Sequence, residues 1–259
     1  MTGPAIPHTL SPARLTTRLA GILLAPLLLV ACAGAAWQVL STADFGYPVL
    51  YRWLDIQAHI AEYGPQNRYR NGFETLTPET HQALFGAILD AVNHGGKGLG
   101  RIRYRPAGSA RSIPMLRAPE IAHLRLVAAG VQRFLQVAVA AAILAAAATL
   151  WLAAAGHVPP ARTLLLSLAV GLALVAAATA AMFDAGGGGW FSRLHEWVFP
   201  AGHQWFFYYQ ESLMTTLMKA PAIFGPMAAA LAAVTTVLTG LVLAAVVATL
   251  SLVQAIHRR

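Results

Sequence analysis

The sequence predicts an all-α membrane protein with four transmembrane helices, a mostly helical extracytoplasmic subdomain between helices 1 and 2, and an aromatic-rich loop between helices 3 and 4. Two observations predict it. Of the 259 residues, 57% are hydrophobic and only 11% are charged, and the mean hydropathy is +0.58, well displaced from soluble domains toward lipid. The apolar residues are also gathered into runs at 19–40, 134–155, 163–182 and 227–253, none of which contains Asp, Glu, Lys, Arg or His. A helix needs about 20 such residues to cross a hydrocarbon core of roughly 30 Å, so each run can span.

The first run follows Arg14 and Arg18 and passes through Leu29-Val30-Ala31-Cys32, which also resembles a lipoprotein cleavage signal. The apolar stretch continues beyond Cys32 to Leu40, long enough for a full span, and a lone cysteine forms no internal disulfide. Four spans leave two long connections, 41–133 and 183–226, on one side of the membrane. The short turn with His157, Pro159, Pro160 and Arg162 lies on the other side with both termini, 1–18 at the N-terminal end. Short basic flanks, Arg14, Arg18, Arg258 and Arg259, mark that second side as cytoplasmic, and the long loops then face outward. Most of the basic residues fall on those loops, which suits anionic lipid headgroups as partners, and no nucleic-acid motif is present.

Within the first long connection, Thr77 supplies an N-cap and Pro78 a first helical residue, with Leu84, Ile88 and Val92 spaced along one face and Gly95 and Gly96 beyond the end. Residues 47–63 form a weaker amphipathic pattern and 101–105 alternate like a short strand, and both are candidates for the membrane surface. Pro119 can open a helix that runs unbroken to Ala155, so the second span begins near Glu120 and projects out of the bilayer.

Glu120 and His123 are three residues apart, on one face of that projection, where the carboxylate can orient the imidazole. The second long connection holds Gly186 to Gly189, a slack connector, and then His195, Glu196, Trp197, Phe199, His203, Trp205 and Tyr208 among further aromatics. Such aromatics also serve simply as an interfacial belt. His123 and His195 come from different loops on one face, and two imidazoles that converge there suit proton transfer near neutral pH. The alternative is a metal held by Glu120, His123, His195 and Glu196 or His203, although no paired-ligand spacing supports it. No GxSxG, phosphate-binding loop or dinucleotide fingerprint is present.

Arg117-Ala118-Pro119-Glu120-Ile121-Ala122-His123-Leu124, Arg193-Leu194-His195-Glu196-Trp197-Val198-Phe199, Trp205 and Pro221-Ala222-Ile223-Phe224, with the four-span plan, resemble the bacterial lipoprotein intramolecular transacylases (Lit). The family's E-x-x-H falls on Glu120 and His123, and its F-H-x-x-x-F element on Leu194, His195 and Phe199. The resemblance implies an enzyme of the bacterial cytoplasmic membrane that moves the sn-2 acyl chain of a diacylglyceryl-cysteine lipoprotein onto the α-amino group of the same cysteine. It implies His123 and His195 as the catalytic pair, and Arg117, Glu120, Glu196, Phe199, His203 and Trp205 are the candidates for substrate-binding or supporting roles. Membrane lipids and lipoprotein N-termini are the expected partners, and no cofactor or metal is called for. The chain departs from the family at Leu126, where an acidic residue is usual, and around Gly202 to Tyr209. A relative acting on another lipid, or a non-catalytic membrane assembly or lipid-binding protein, therefore stays open as an alternative.

Overall fold

In the computed structural model, which describes residues 12–183 and 190–259, the chain is mostly helical. Four helices are long and apolar enough to cross a membrane: α1 (Pro12–Ser41), α5 (Ala118–Ala154), α6 (Ala161–Phe183) and α9 (Phe224–His257). Helix α1 packs against all three others. The close contacts use small residues: Gly34 of α1 lies against Ala138 of α5, and Gly21 against Pro159 and Thr163 at the start of α6. Lipid tails are as apolar as leucine, so close backbone approach rather than water exclusion favours such packing. Cys32 is one of these buried packing residues. On α6, Leu165, Leu166, Val170 and Leu174 are all exposed, which suits a lipid-facing helix.

The short turn between α5 and α6 ends α5 at Ala154, with Gly156 at φ +60. The amide of Gln254 on α9 donates to the Gly156 carbonyl over 3.2 Å and ties the end of the last span to this turn.

On the opposite side, the two long connections share one core. Tyr47, Ile56, Ile60, Phe73, Ile88 and Met115 from the first are buried with Leu213, Leu217 and Ile223 from the second. Helix α4 (Pro78–Asn93) begins with Thr77 accepting from the Thr80 amide and buries Leu84, Ile88 and Val92 on one face. The amphipathic pattern over 47–63 does not make one helix. It is split into α2 (Tyr47–Trp53) and α3 (Ile56–Tyr63), with Asp55 between them at φ +49. Aspartate tolerates this left-handed turn better than most residues, and the turn lets Tyr47, Tyr51, Ile56 and Ile60 all enter the core. The segment therefore leaves only its other face, with Val49 and Trp53, exposed. The alternating stretch at 101–105 yields a short strand, β1 (Arg103–Tyr104), antiparallel to β2 (Ile113–Pro114).

The second connection supplies α7 (Trp190–Val198) and α8 (Leu213–Met218). It is tied to the first by long-range bonds, among them Tyr47 Oη donating to the Leu217 carbonyl over 2.6 Å, Lys219 Nζ to the Leu54 carbonyl over 2.7 Å, and the Arg68 amide to the Gln210 carbonyl over 2.9 Å. The subdomain and the aromatic-rich loop, separate in sequence, thus form one cap over the bundle. The run 186–189 lies outside the described residues.

Candidate functional site

Helix α5 is 37 residues long and the charge-free part begins at Phe134, so residues 118–133 rise above the span. Its first turn has Pro119 near the start, where no intrahelical donor is needed. Glu120 folds back to accept the Arg117 backbone amide over 2.6 Å, satisfying a donor that the helix cannot. His123, one turn on, faces inward and is 8% exposed.

His195 arrives from α7, and Phe199 follows it at the i+4 position, its amide donating to the His195 carbonyl. Pro200 then starts a tight turn through Gly202 (φ +79), closed by the His203 amide bonding to the Pro200 carbonyl over 3.0 Å. That turn folds His203 back onto Phe199, ring centroids 5.5 Å apart.

Three imidazoles therefore gather around one phenyl ring. His123 and His195 lie 6.3 Å apart between centroids, their planes only 17° from parallel, and His123 and His203 lie 5.7 Å apart at 15°. Phe199 sits 4.8 Å from His123 and 5.4 Å from His195. Trp205 closes the far side of His195 at 4.9 Å, and Phe207 meets His123 edge-on at 5.9 Å. Burial, reinforced by the neighbouring His195 and His203, pushes His123 down to about 4, so its ring is neutral across the physiological range. His123 Nδ1 and His203 Nε2 are buried and have no hydrogen-bond partner among the described residues. A neutral imidazole always has one nitrogen able to accept and one able to donate. The site thus keeps proton-transfer capacity that its own packing does not consume.

Comparison with family models, with curated proteins and with solved structures finds no match to this chain.

The remaining expected site residues divide. Phe199, His203 and Trp205 stand in the cluster. Glu196 is exposed, beside Trp197, which is 85% exposed. Glu120 is next to His123 in the helix but does not orient it: its carboxylate accepts from Ser212 Oγ over 2.6 Å and from the Met214 amide over 3.4 Å, besides the Arg117 amide. Burial pushes this carboxyl up, and the three donors oppose that shift. Arg117 has its Nε 3.6 Å from Glu120 and its guanidinium 4.2 Å above the Tyr69 ring, so its contacts lie with Glu120 and not with the histidines. The spatial grouping needed for a metal is likewise not found: among the described residues no three His, Cys, Asp or Glu side chains are placed to hold an ion.

Two features escaped the sequence reading. Ser212 fixes Glu120 across 92 residues of chain, and no local signal announces such a pair. His59, Tyr63 and Tyr209 form a second aromatic group around the buried His59 ring, which lies 4.4 Å from Tyr209 and 4.6 Å from Tyr63. Burial and the nearby Lys219 ammonium push His59 down to about 4.

Proposed function

We propose that this protein is a membrane-embedded acyltransferase of the bacterial cytoplasmic membrane, acting on its extracytoplasmic face. It would move the sn-2 acyl chain of a diacylglyceryl-cysteine lipoprotein to the α-amino group of that cysteine. The observation that carries this reading is the approach of His123 and His195 to 6.3 Å, from separate connections, above a bundle of four apolar helices.

The chemistry needs one proton removed and one delivered. The free α-amine attacks the ester carbonyl, an N–C bond forms, the C–O bond to the glycerol breaks, and the amine proton is exchanged for one on the glycerol oxygen. One imidazole takes the proton from nitrogen, the proton passes across to the other, and that second ring delivers it to the departing oxygen, leaving both rings as they began. Donor and acceptor belong to one molecule, which supplies the proximity, so no covalent enzyme intermediate is required. The low proton affinity of His123 keeps it neutral at rest and makes any imidazolium formed there a strong donor to an alkoxide. Phe199, Trp205 and Phe207 supply apolar walls, and the exposed Trp197, Phe206 and Tyr208 suit contact with lipid.

The test is mass spectrometry of the N-terminal peptide of a model lipoprotein from cells that lack N-acylation and express this protein. Transfer of one acyl chain from glycerol to nitrogen, lost in both His123→Ala and His195→Ala, is the expected result. Unchanged diacyl peptide with well-expressed protein would replace this reading with that of a lipid-binding protein.

A further inference from the structure

Glu120 is the only carboxylate between Asp90 and Asp184, whereas that interval contains Lys97, Arg101, Arg103, Arg105, Arg111, Arg117, Arg125, Arg133 and Arg162. Glu120 is fully buried and its oxygens are taken by Ser212, Met214 and Arg117. It offers nothing to the surface cations. Lys97, Arg101, Arg125 and Arg133 are all exposed, and among the described residues none has a carboxylate within salt-bridge distance.

The loop after α4 carries Lys97 and Arg101 over the part of α5 that bears Arg125. Gly95 and Gly96, at φ +70 and +79, carry that loop directly over α5. A Cβ on Gly96 would stand 3.0 Å from Cγ and 3.5 Å from Cα of Arg125, and one on Gly95 would stand 2.7 Å from the Gln132 amide nitrogen. Lys97 is the next residue, and Arg101 closes the following 3-10 turn, where Gly100 approaches Ile121 of α5. Along α5, Arg125, Gln132 and Gln136 lie on one face with Arg133 beside them, and all are exposed. Arg133 is the last charge before the apolar run, and Arg125 stands eight residues, or roughly 12 Å, above it. Arg133 therefore marks the level at which α5 enters the bilayer and headgroup phosphates begin, and Arg125, Lys97 and Arg101 rise above it.

We propose that Lys97, Arg101, Arg125 and Arg133 form a binding site for the headgroup of an anionic phospholipid, with Gln132 and Gln136 as neutral hydrogen-bonding partners for its phosphate and glycerol oxygens. The site depends on α5 being a membrane span and is independent of the acyl transfer proposed above. Arginine forks match phosphate oxygens in pairs, and each cation near the surface of an anionic membrane strengthens attraction roughly fivefold at low salt.

The test is native mass spectrometry of the full chain in a non-ionic detergent, offered phosphatidylglycerol and phosphatidylcholine in equal amounts. The wild type is expected to retain phosphatidylglycerol in excess, with the excess eroded at about 0.5 M salt. The K97Q/R125Q/R133Q variant should lose the preference, K97R/R125K/R133K should keep it, and R258Q/R259Q, at the other end of the spans, should keep it as well. Equal retention of the two lipids by the wild type overturns the site. So does an undiminished preference in K97Q/R125Q/R133Q, or in the single R125Q and R133Q variants should the triple one not fold.

Discussion

Two buried histidines in the cap are treated in opposite ways. His81, on α4, has both nitrogens engaged: Nε2 lies 3.0 Å from the Phe73 carbonyl and Nδ1 2.8 Å from Tyr51 Oη. A carbonyl only accepts, so Nε2 carries the proton and Nδ1 accepts from the tyrosine. Nothing on that ring is left for another molecule. His123 is buried to a similar degree, but its Nδ1 has no partner among the described residues and its neighbours are other rings. Burial alone does not separate a structural histidine from a chemical one. The separating fact is whether the surrounding fold uses up the hydrogen-bonding capacity of the ring.

The largest test of that contrast is activity. His123→Ala and His195→Ala should each lower acyl transfer a hundredfold or more, about 3 kcal/mol in barrier height, while melting close to the wild type in detergent. His81→Ala should do the reverse. It strands the Tyr51 hydroxyl and the Phe73 carbonyl in the core, and a loss of about 3 kcal/mol or more in stability should appear in denaturant unfolding. If His123→Ala melts as His81→Ala does, the contrast collapses and His123 is a packing residue.

Acid should expose a second difference. His59 and His123 titrate near 4 in the folded chain, below the ordinary 6.5. As pH falls below 6.5 the unfolded chain binds protons first, so the stability these rings confer is complete above that value and is lost as pH falls toward 4. Each contributes about 2–3 kcal/mol over that window. Unfolding at pH 7.5 and at 4.5 should therefore differ, and the double variant His59→Phe with His123→Phe should narrow the gap. An unchanged gap would locate the acid sensitivity elsewhere. In the wild type, His123 remains neutral below pH 6, so a fall of acyl transfer there should follow protonation of the attacking α-amine and not of this ring.

The smallest effect belongs to Ser212→Ala. It removes one of three donors to Glu120 and should lower stability by about 1–2 kcal/mol, with less than a tenfold loss of transfer. A loss as large as that of His123→Ala would make Glu120 part of the chemistry and not of its scaffold.

The parts of the molecule legible in sequence are those whose signal is local. Four charge-free runs specify spans because a bilayer imposes one length on any helix that crosses it. Thr77-Pro78 and Pro119 announce helix starts through backbone groups within three residues of themselves. The gathering of His123 with His195 was expected from their common side of the membrane alone. What was not legible depends on distant pairing. The break at Asp55 appears only once the core that takes both Tyr51 and Ile56 is known. The role of Glu120 was misjudged because an i, i+3 neighbour is visible in the sequence and Ser212 is not. His203 is a supporting candidate in the sequence, but its place against Phe199 depends on the turn at Pro200.

Helix α5 has no proline between Pro119 and its end at Ala154. It therefore acts as a rigid ruler between the middle of the bilayer and the histidines. His123 precedes Phe134 by eleven residues, which places it roughly 16 Å beyond the charge-free segment. For the proposed acyl transfer, an ester at the hydrocarbon boundary must climb that distance, or the bilayer must deform beside the protein to meet it. The thickness of the host membrane thereby becomes a variable of the reaction, as real as pH, and lipids of different chain length are the means of turning it.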